Sequence, residues 1–360
     1  MKEVLYIAPG NQNSKGGIGL CVNNYSRYMI DFKVLVTHKY ESKFLNTLWF
    51  PICVLEFIIR LLKDRDIKIL HIHGASKGSF YRKYILFSIA RIFFTKKIIY
   101  HVHGGGFRDF YLKSSPFIQK RVRYVINSSD VLVCLSEKWK HFFASAFKSR
   151  RIEIVNNMII PPVTTERNEK EGKFILFFLG LIGDNKGIFD LIKVIAKNRD
   201  LFEGKLELKV AGNGEVDRFK ETIEKWKVKD IVQFEGWADS EKKEQLFRSS
   251  NAFILPSYKE GLPLSILEAM SYGLPIISSK VGGIPDLIYK SRNGILIEPG
   301  NQIAIKNAIE KLMTNKDLCD IYSQKSSKAV VDYYPQSVLK SLFSIYHELQ
   351  GNKGLLFEQN

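Results

Sequence analysis

Short runs of apolar residues alternate with longer stretches of helical spacing throughout the first half of the chain. The helical stretches lie around residues 44–63, 80–95 and 116–128. Apolar strands separated by helices are typical of a parallel sheet that is covered on both faces. The runs therefore predict five strands of such a sheet, at Val4–Ala8, Phe32–Thr37, Ile67–His73, Ile98–Val102 and Val131–Leu135.

The alternation stops near Pro161 and Pro162 and restarts at Phe174. Two prolines and a polar run between periodic segments indicate a linker. We predict an N-terminal domain over 1–160, a linker over 161–173, a second parallel-sheet domain over 174–334, and a C-terminal helix and tail over 335–360 that could pack back on the first domain. The strands predicted for the second domain are Phe174–Leu179, Leu206–Ala211, Ile231–Glu235, Ala252–Leu255, Pro275–Ser278 and Gly294–Ile297.

The two patterns together predict an α/β fold made of two Rossmann-like domains. With 360 residues, the chain is too long for one ordinary core and suits two domains. Ligands of open parallel sheets bind beyond the carboxyl ends of the strands, where Gly180 and Gly212 follow predicted strands. We therefore expect the two domains to face a central cleft.

Basic residues are concentrated in the first half of the chain. Residues 1–170 hold 28 lysine and arginine residues against 12 acidic ones, a net charge of +16, whereas residues 171–360 hold 26 against 25, a net charge of +1. General solubility is the alternative explanation, but it does not predict such a one-sided distribution. We expect an anionic partner for the first half.

Several observations predict a cytoplasmic protein. The four cysteines have no paired spacing, which argues against a disulfide framework or a zinc site. The N-terminus is interpreted as a strand, because Glu3 interrupts an apolar run that is already too short for a signal peptide. The most apolar segment, 44–62, contains Pro51, Glu56 and Arg60, so we expect a buried or membrane-surface helix there.

The most informative motif begins at Glu260 and reads EGLPLSILEAMSYGLP. A predicted strand ends just before it, and Pro263 suits the first turn of a helix, where its missing N–H is not needed. The unpaired N–H groups of residues 264–266 would then favour binding of a phosphate. Glu268, about one turn further on, could accept hydrogen bonds from a ribose diol. A surface helix with two solvated glutamates is the alternative.

This string resembles the paired-glutamate motif of the family 4 glycosyltransferases (glycosyltransferase group 1), which have the GT-B fold. The resemblance implies that Glu268 holds the ribose of a nucleotide diphosphate sugar and that Glu260 contacts hydroxyls of the transferred sugar. It also implies a donor site that includes Gly261, Leu262, Leu264 and Ser265.

Two further segments extend the resemblance. Lys186 follows the strand that ends at Gly180 and is similar to the phosphate-binding lysine of the family. Family members usually have an arginine directly after that glycine, whereas this chain has Leu181, so one cation of the expected diphosphate clamp is missing. Gly16 and Gly17 resemble the first glycine loop of the family, whose backbone N–H groups approach the donor diphosphate.

The segment HVHGGGF ends a predicted strand of the first domain at residues 101–107. The resemblance points to His103 as the histidine that contacts the donor sugar or its phosphate. We expect His101 to point to the opposite face of the strand and to be buried, and we expect the same alternation for His71 and His73. A zinc site built from all four is conceivable, but no ligand cluster of the second domain completes it.

No metal or cofactor is predicted. Asp64-Arg65-Asp66 mimics the metal-binding acid pair of the other large glycosyltransferase fold, but the surrounding chain does not match that fold, and we interpret it as a solvated turn. The resemblance implies a retaining mechanism in which Glu260, His103 and Lys186 act at the reacting centre. Lys186 and helix N-termini would stabilise the leaving diphosphate, which would itself serve as the base.

Two basic segments bear on the acceptor. Residues 80–97 mix aromatic, aliphatic and basic side chains at helical spacing, and residues 113–123 add further cations. Such helices bind anionic membranes, although a core helix with a solvated basic rim is the alternative. We expect peripheral association with the cytoplasmic membrane and a lipid-linked or oligosaccharide acceptor, as in assembly of a bacterial capsule, O-antigen or exopolysaccharide. The membrane would contact Arg82, Lys83, Lys96 and Lys97.

Two other functions remain open at this point. A sugar-nucleotide epimerase or a soluble sucrose-type synthase would share the same fold and donor. A nucleic-acid-binding protein would explain the basicity, but it would explain neither the paired glutamates nor the nearly neutral second half, so no nucleic acid partner is predicted.

Overall fold

The computed structural model describes residues 2–10, 17–40, 42–166 and 172–351. The chain divides into two compact units, of which the first holds Met1–Ile159 together with Tyr333–Asn360 and the second holds Ile160–Asp332. The last long helix therefore belongs to the first unit, although more than 170 residues of the second unit precede it in the chain.

A six-stranded parallel sheet forms the centre of unit 1, with the strand order β2-β1-β3-β4-β5-β6. The first five strands lie where the apolar runs predict them, within two residues at each end. The sixth was not predicted, because Glu153 interrupts a segment of only three residues. The strands are β1 Val4–Ala8, β2 Lys33–Val36, β3 Ile69–Gly74, β4 Lys97–Val102, β5 Val131–Cys134 and β6 Ile152–Ile154.

Helices cover both faces of this sheet. Successive residues of a strand point to opposite faces, so Leu5 and Ile7 enter one core cluster while Val4 and Tyr6 enter the other. The helices of unit 1 are α1 Gly17–Ser26, α2 Lys43–Lys63, α3 Gly78–Phe93, α4 Phe107–Lys113, α5 Pro116–Ser128, α6 Glu137–Ala146 and α15 Pro335–Leu349.

The α15 helix completes one of the two core clusters of unit 1. Its side chains at 338, 339, 342, 345 and 346 are buried against residues of β1, β3, β4 and β5. A hydrogen bond joins the chain segment that precedes unit 2 to the segment that follows it, because the amide of Ile159 donates to the carbonyl of Tyr333 over 3.0 Å. The side chain of Asn24 donates to the carbonyl of Met158 over 2.8 Å and fixes the first of these segments.

Unit 2 contains a second six-stranded parallel sheet, with the order β12-β11-β10-β7-β8-β9. Its strands are β7 Phe174–Leu179, β8 Leu206–Ala211, β9 Val232–Gly236, β10 Ala252–Leu255, β11 Ile276–Ser279 and β12 Gly294–Ile297. Its helices are α7 Ile188–Lys197, α8 Arg199–Phe202, α9 Val216–Lys225, α10 Ser240–Arg248, α11 Leu264–Ser271, α12 Ile284–Ser291, α13 Gln302–Thr314 and α14 Lys316–Ala329.

The α12 and α14 helices were not predicted, for different reasons. The α12 helix is short and begins with Ile284-Pro285, within a glycine-rich segment that suggests a loop. The α14 helix buries only Ser326 completely, so its sequence lacks the apolar spacing by which a helix is recognised.

Candidate functional site

The segment between β10 and α11 carries Glu260, whose side chain is only 8% exposed. Its Oε1 atom accepts a hydrogen bond from the Ser257 hydroxyl at 2.8 Å and lies 2.5 Å from Nζ of Lys186. The structure thus brings together two of the three predicted catalytic residues. Ser257 was not predicted, because nothing in the surrounding sequence distinguishes it from any other loop serine.

A close approach between two loops holds Lys186 in place. Gly187, directly after it, has a φ of 70°, and a Cβ atom there would lie 2.1 Å from the carbonyl oxygen of Pro256. The amide of Tyr258 donates to the carbonyl of Asn185 over 2.8 Å. Because only glycine permits both this φ and this approach, the Lys186-Gly187 pair of the sequence has a physical basis.

A second glycine supports the Glu260 loop from another side. Gly282 has a φ of 55°, and a Cβ atom there would lie 2.0 Å from the carbonyl oxygen of Glu260. The amide of Gly283 donates to the carbonyl of Gly261 over 2.7 Å. The loop that carries the first glutamate is therefore clamped by backbone contacts on both sides.

The α11 helix begins at Leu264, with Pro263 as its N-cap residue instead of the first helical residue. The expectation that the amide of Ile266 is unpaired is wrong, because it donates to the carbonyl of Pro263 over 3.2 Å. The first-turn amides of Leu264 and Ser265 remain, and a helix supplies no backbone acceptor for such groups. The first turn of α11 thus offers two such amides to a ligand, where the sequence predicted three.

One narrow face of α11 is accessible to solvent. Ser265 and Glu268, one turn apart, are its only two residues that are not buried, and Oε1 of Glu268 lies 2.6 Å from Nζ of Lys243 on α10. Glu268 is therefore positioned by a lysine that no motif in the sequence indicated. Its second carboxylate oxygen and the Ser265 side chain share the accessible face.

The turn after β7 shortly precedes Lys186 in the sequence, but it supplies no cation at Leu181, whose side chain is exposed. The guanidinium of Arg218 binds both carboxylate oxygens of Asp184, at 2.9 and 3.0 Å, and also contacts Glu215. A cavity of about 560 Å³ beside this turn is lined by Arg218 and Lys259 among others, but neither Lys186 nor Glu260 lines it. The candidate site is therefore the group of contacts around Glu260 and Glu268, not this cavity.

The first glycine loop is only partly described. Gly16 lies outside the described residues. Gly17 is the first residue of α1, and, apart from its chain neighbours and the backbone of α1 itself, no described residue has an atom within 4 Å of the position that a Cβ atom would occupy.

Four histidines form a compact group, here called the histidine stack. They are His71 and His73 on β3, His101 on β4, and His103 directly after β4. His71 Nε2 lies 3.2 Å from His101 Nδ1, and His73 Nδ1 lies 2.8 Å from His103 Nε2. The two pairs lie one over the other, with ring centroids 4.3 Å apart for His71 and His73 and 4.0 Å apart for His101 and His103.

The expectation that His101 and His103 point to opposite faces is wrong, and so is the same expectation for His71 and His73. Residues two apart on a strand share one face, so each pair lies on the same side of the sheet. The parallel register sets His73 beside His101 on the neighbouring strand. The spacing HIH followed by HVH therefore predicts a four-histidine group when it is interpreted with the correct period.

Burial keeps the stack uncharged. It lowers the pKa of His71 to about 3 and that of His103 to about 4, although the hydrogen bond that His103 donates to Asn157 opposes the shift at His103. The pKa values of His73 and His101 also lie well below the usual range, for the same principal reason. His103 is therefore a neutral imidazole at neutral pH.

The stack does not have the geometry of a metal site. Ligand atoms of His71, His73 and His101 lie within 4.8 Å of one another. The rings of His71 and His73 are tilted by only 22° and those of His71 and His101 by only 12°. Because lone pairs lie in the ring planes, near-parallel rings do not direct three nitrogens at a common tetrahedral centre. We assign the group to hydrogen bonding.

Two sequence families match most of the chain. The family described as Glycosyltransferase Family 4 matches residues 20–161, and the family described as Glycosyl transferases group 1 matches residues 163–329. The chain is a family 4 glycosyltransferase. The resemblance carried by the glutamate motif is thereby confirmed.

Individual proteins resemble this chain in sequence or in fold. An uncharacterized glycosyltransferase of Methanocaldococcus jannaschii is 29% identical over 69% of this chain and 67% of its own length. The sucrose-phosphate synthase of Thermosynechococcus elongatus has a TM-score of 0.81 at 16% identity, over 97% of this chain and 99% of that one. HepE of Anabaena in complex with UDP-glucose has a TM-score of 0.70 at 16% identity, over 97% and 99%. The predicted α/β fold of the GT-B type is confirmed.

The basic face expected on α3 of the glycosyltransferase is not formed as predicted. Lys83 is completely buried, and the half-buried Lys96 donates to the carbonyl of Ile67 over 2.5 Å. Lys97 is exposed and lies 3.8 Å from Asp130. The prediction that these lysines line one membrane face together with Arg82 is wrong, because the α3 helix turns Lys83 into the core.

The apolar segment near residue 44 forms α2, which continues through Pro51 without a break. One face of α2 packs in the core through Cys53, Phe57 and Leu61. The opposite face is apolar and exposed, at intervals of three or four residues. This α2 stripe consists of Phe44, Leu48, Ile52, Leu55, Ile59 and Leu62.

By length and composition, Phe44–Lys63 is the one helix in the described residues that is apolar enough to cross a membrane. Its inner face is held by side-chain contacts with the β2 strand and the residues after it. Trp49 donates to the carbonyl of Val36 over 3.3 Å, and Arg60 donates to that of Val34 over 3.0 Å. These contacts favour a helix that lies on unit 1 over one that leaves it.

Proposed function

We propose that this glycosyltransferase moves a sugar from a nucleotide diphosphate sugar to a lipid-linked glycan acceptor, with retention of the anomeric configuration. The observation that carries the proposal is the Lys186–Glu260 contact at the entrance to α11, followed by Glu268 on the accessible face of that helix. HepE, which has the same fold, binds UDP-glucose. We extend that class of donor to this chain.

The contacts suggest how each residue would act. Lys186 would bind the donor diphosphate and neutralise the charge that grows as the bond from the anomeric carbon to the phosphate oxygen breaks. The first-turn amides of Leu264 and Ser265 would bind the same anion. Glu268 would accept hydrogen bonds from the ribose, and Glu260, released from Lys186, would bind hydroxyls of the sugar.

The acceptor hydroxyl would attack on the face from which the diphosphate leaves. Its oxygen forms the new bond to the anomeric carbon, the electron pair of the broken bond stays on the diphosphate, and the hydroxyl proton goes to that leaving oxygen. Retention follows from same-face attack, and this route uses neither a carboxylate base nor a metal ion nor another cofactor.

The membrane part of the proposal rests on the α2 stripe. A helix binds to the surface of an anionic membrane through an exposed apolar face and through nearby positive charge. Unit 1 has both, because the α2 stripe is exposed and the first half of the chain carries a large excess of positive charge. This arrangement favours a lipid-linked acceptor, as in assembly of a surface polysaccharide, over the acceptor of a soluble synthase.

The test is incubation of the protein with a panel of radiolabelled nucleotide diphosphate sugars, with and without lipid extract and with excess chelator. We expect transfer to lipid from one donor, undiminished by chelator, with the product configuration identified by NMR. Lys186→Met should lower turnover by roughly a hundredfold, the usual effect of removing one transition-state charge partner. Lys205→Met, at an exposed position of unit 2, is the control.

Three outcomes would contradict the proposal. Conversion of the donor to an epimer without transfer would favour a sugar-nucleotide epimerase. Inversion at the anomeric carbon would exclude the leaving-group mechanism. A complete loss of activity in chelator that added metal restores would show that a divalent cation, not Lys186, carries the diphosphate charge.

A further inference from the structure

The α3 helix carries Lys83 to the carboxyl end of the unit 1 sheet. Its ammonium group is completely buried and donates to the Thr37 hydroxyl over 2.8 Å. Thr37 follows β2, and its own hydroxyl donates to the carbonyl of Ala8, the last residue of β1, over 3.1 Å. Lys83 therefore lies at the edge where open parallel sheets bind their ligands.

A second cation, Arg82, stands next to it and has no carboxylate partner among the described residues. Nε of Arg82 is sealed from solvent and makes no hydrogen bond. In the described part of the chain, neither Arg82 nor Lys83 forms an ion pair with a carboxylate. His38 follows β2 and lies near both groups. Burial lowers the pKa of His38, and the positive charges of Arg82 and Lys83 lower it further.

The local charges are thus of one sign. Burial, followed by Arg82, lowers the pKa of Lys83 to about 7, while the Cys53 thiol on α2 opposes the shift. Burial likewise lowers the pKa of Arg82. Buried cations in proteins are normally paired, because an unpaired charge in a low-dielectric interior is costly. An anion at this position would supply the missing partner.

We propose that Arg82 and Lys83 form a binding site for a phosphate group of the acceptor, an inference that rests on the proposed transfer to a lipid-linked acceptor. A guanidinium fork beside an ammonium group suits a phosphate group, whose anionic oxygens can accept hydrogen bonds from both cations. The Thr37 hydroxyl holds the ammonium in place. The chain would thus recognise the phosphate through unit 1 and the nucleotide through unit 2.

The experiment is calorimetric titration of the full-length protein with two probes, inorganic phosphate and dodecyl phosphate below its micelle concentration. We expect Arg82→Gln and Lys83→Met each to weaken binding by about tenfold or more, because each substitution removes a charged hydrogen-bond donor. Lys120→Gln, which removes an equal charge from an exposed position of α5, should bind both probes as the wild type does.

The two probes separate the sources of the phosphate. Tighter binding of dodecyl phosphate would support a lipid acceptor, and equal affinities would support the site but assign it to a soluble phosphate compound. The absence of binding, or equal affinities in wild type, Arg82→Gln and Lys83→Met, would overturn the site. Nucleotide-sugar turnover by the wild type is measured separately, so that failure of the proposed function would be distinguished from failure of this site.

Discussion

His73 donates a hydrogen bond to His103, and this contact sets the tautomer of the predicted catalytic histidine. His73 Nδ1 lies 2.8 Å from His103 Nε2, and His103 Nδ1 lies 3.2 Å from Oδ1 of Asn157. Because the amide oxygen of Asn157 accepts, the proton of His103 is on Nδ1, and its Nε2 accepts from His73. The unpartnered Nε2 of His73 is then a bare acceptor, which costs less than a buried orphan N–H.

Two substitutions of His73 test this assignment of the ring protons. His73→Asn places an amide N–H near the position of Nδ1 and should retain the Nδ1–H tautomer of His103, whereas His73→Leu leaves a buried acceptor and should lower stability by about 1–3 kcal/mol. Nitrogen-15 NMR of the ring of His103 identifies the tautomer, and urea unfolding measures the stability. Identical spectra and stabilities for both variants would contradict the assignment.

The histidine stack should make the protein sensitive to acid. The folded-state pKa values lie near 3 for His71 and near 4 for His103, below the usual 6.5, so the unfolded chain binds protons more readily below pH 6.5. The free energy of unfolding should therefore be greatest above pH 6.5 and fall as the pH drops toward about 4, by up to about 1.4 kcal/mol per pH unit for each histidine.

Unfolding by urea at a series of pH values measures how the free energy of unfolding depends on pH. His101→Phe should reduce this slope by the contribution of about one proton. A wild-type stability that is constant between pH 6.5 and 4.5 would show that the stack takes up protons without unfolding.

Removal of Glu268 should weaken binding of the nucleotide. Glu268→Ala removes the acceptor expected for the ribose diol, at a cost of about 1.5–3 kcal/mol, or roughly ten- to a hundredfold in affinity. Calorimetry with the nucleoside diphosphate of the active donor provides the measurement. Glu298→Ala, which removes an exposed ion pair with Lys280, is the matched control. Unchanged affinity in Glu268→Ala would leave its contact with Lys243 as a purely structural one.

Polar substitutions on the α2 stripe should release the protein from membranes. A triple variant with serine at Leu48, Ile52 and Leu55 should reduce sedimentation with anionic vesicles more than tenfold, because each buried apolar side chain contributes about 1.5–3 kcal/mol. Ile303→Ser, at an exposed apolar position of unit 2, should sediment as the wild type does. Added salt should weaken the wild-type interaction as well. If the triple variant sediments normally, the cations of α5 become the alternative contact.

The sequence predicted most of the strands because parallel strands are buried on both faces and appear as uninterrupted apolar runs. It also pointed to Glu260, Lys186 and Glu268, because the motifs that contain them resemble those of the family 4 glycosyltransferases. It did not indicate Ser257 or Lys243, which reach the glutamates from elements that carry no distinctive pattern. The burial of Lys83 was missed for a related reason, since charge and helical spacing alone do not show which face of α3 meets the sheet.

The return of α15 to the first unit has a consequence for biosynthesis. Tyr346 on this helix lies 2.7 Å from the Tyr6 hydroxyl and 2.6 Å from Nδ1 of His71, so the last turns of the chain satisfy polar groups on the first and third strands. During synthesis the N-terminal unit therefore lacks the Tyr346 partner until α15 has been made, whereas unit 2 is contiguous from Ile160 to Asp332. A fragment that ends near residue 160 is an incomplete domain, and it is the type of species that chaperones bind.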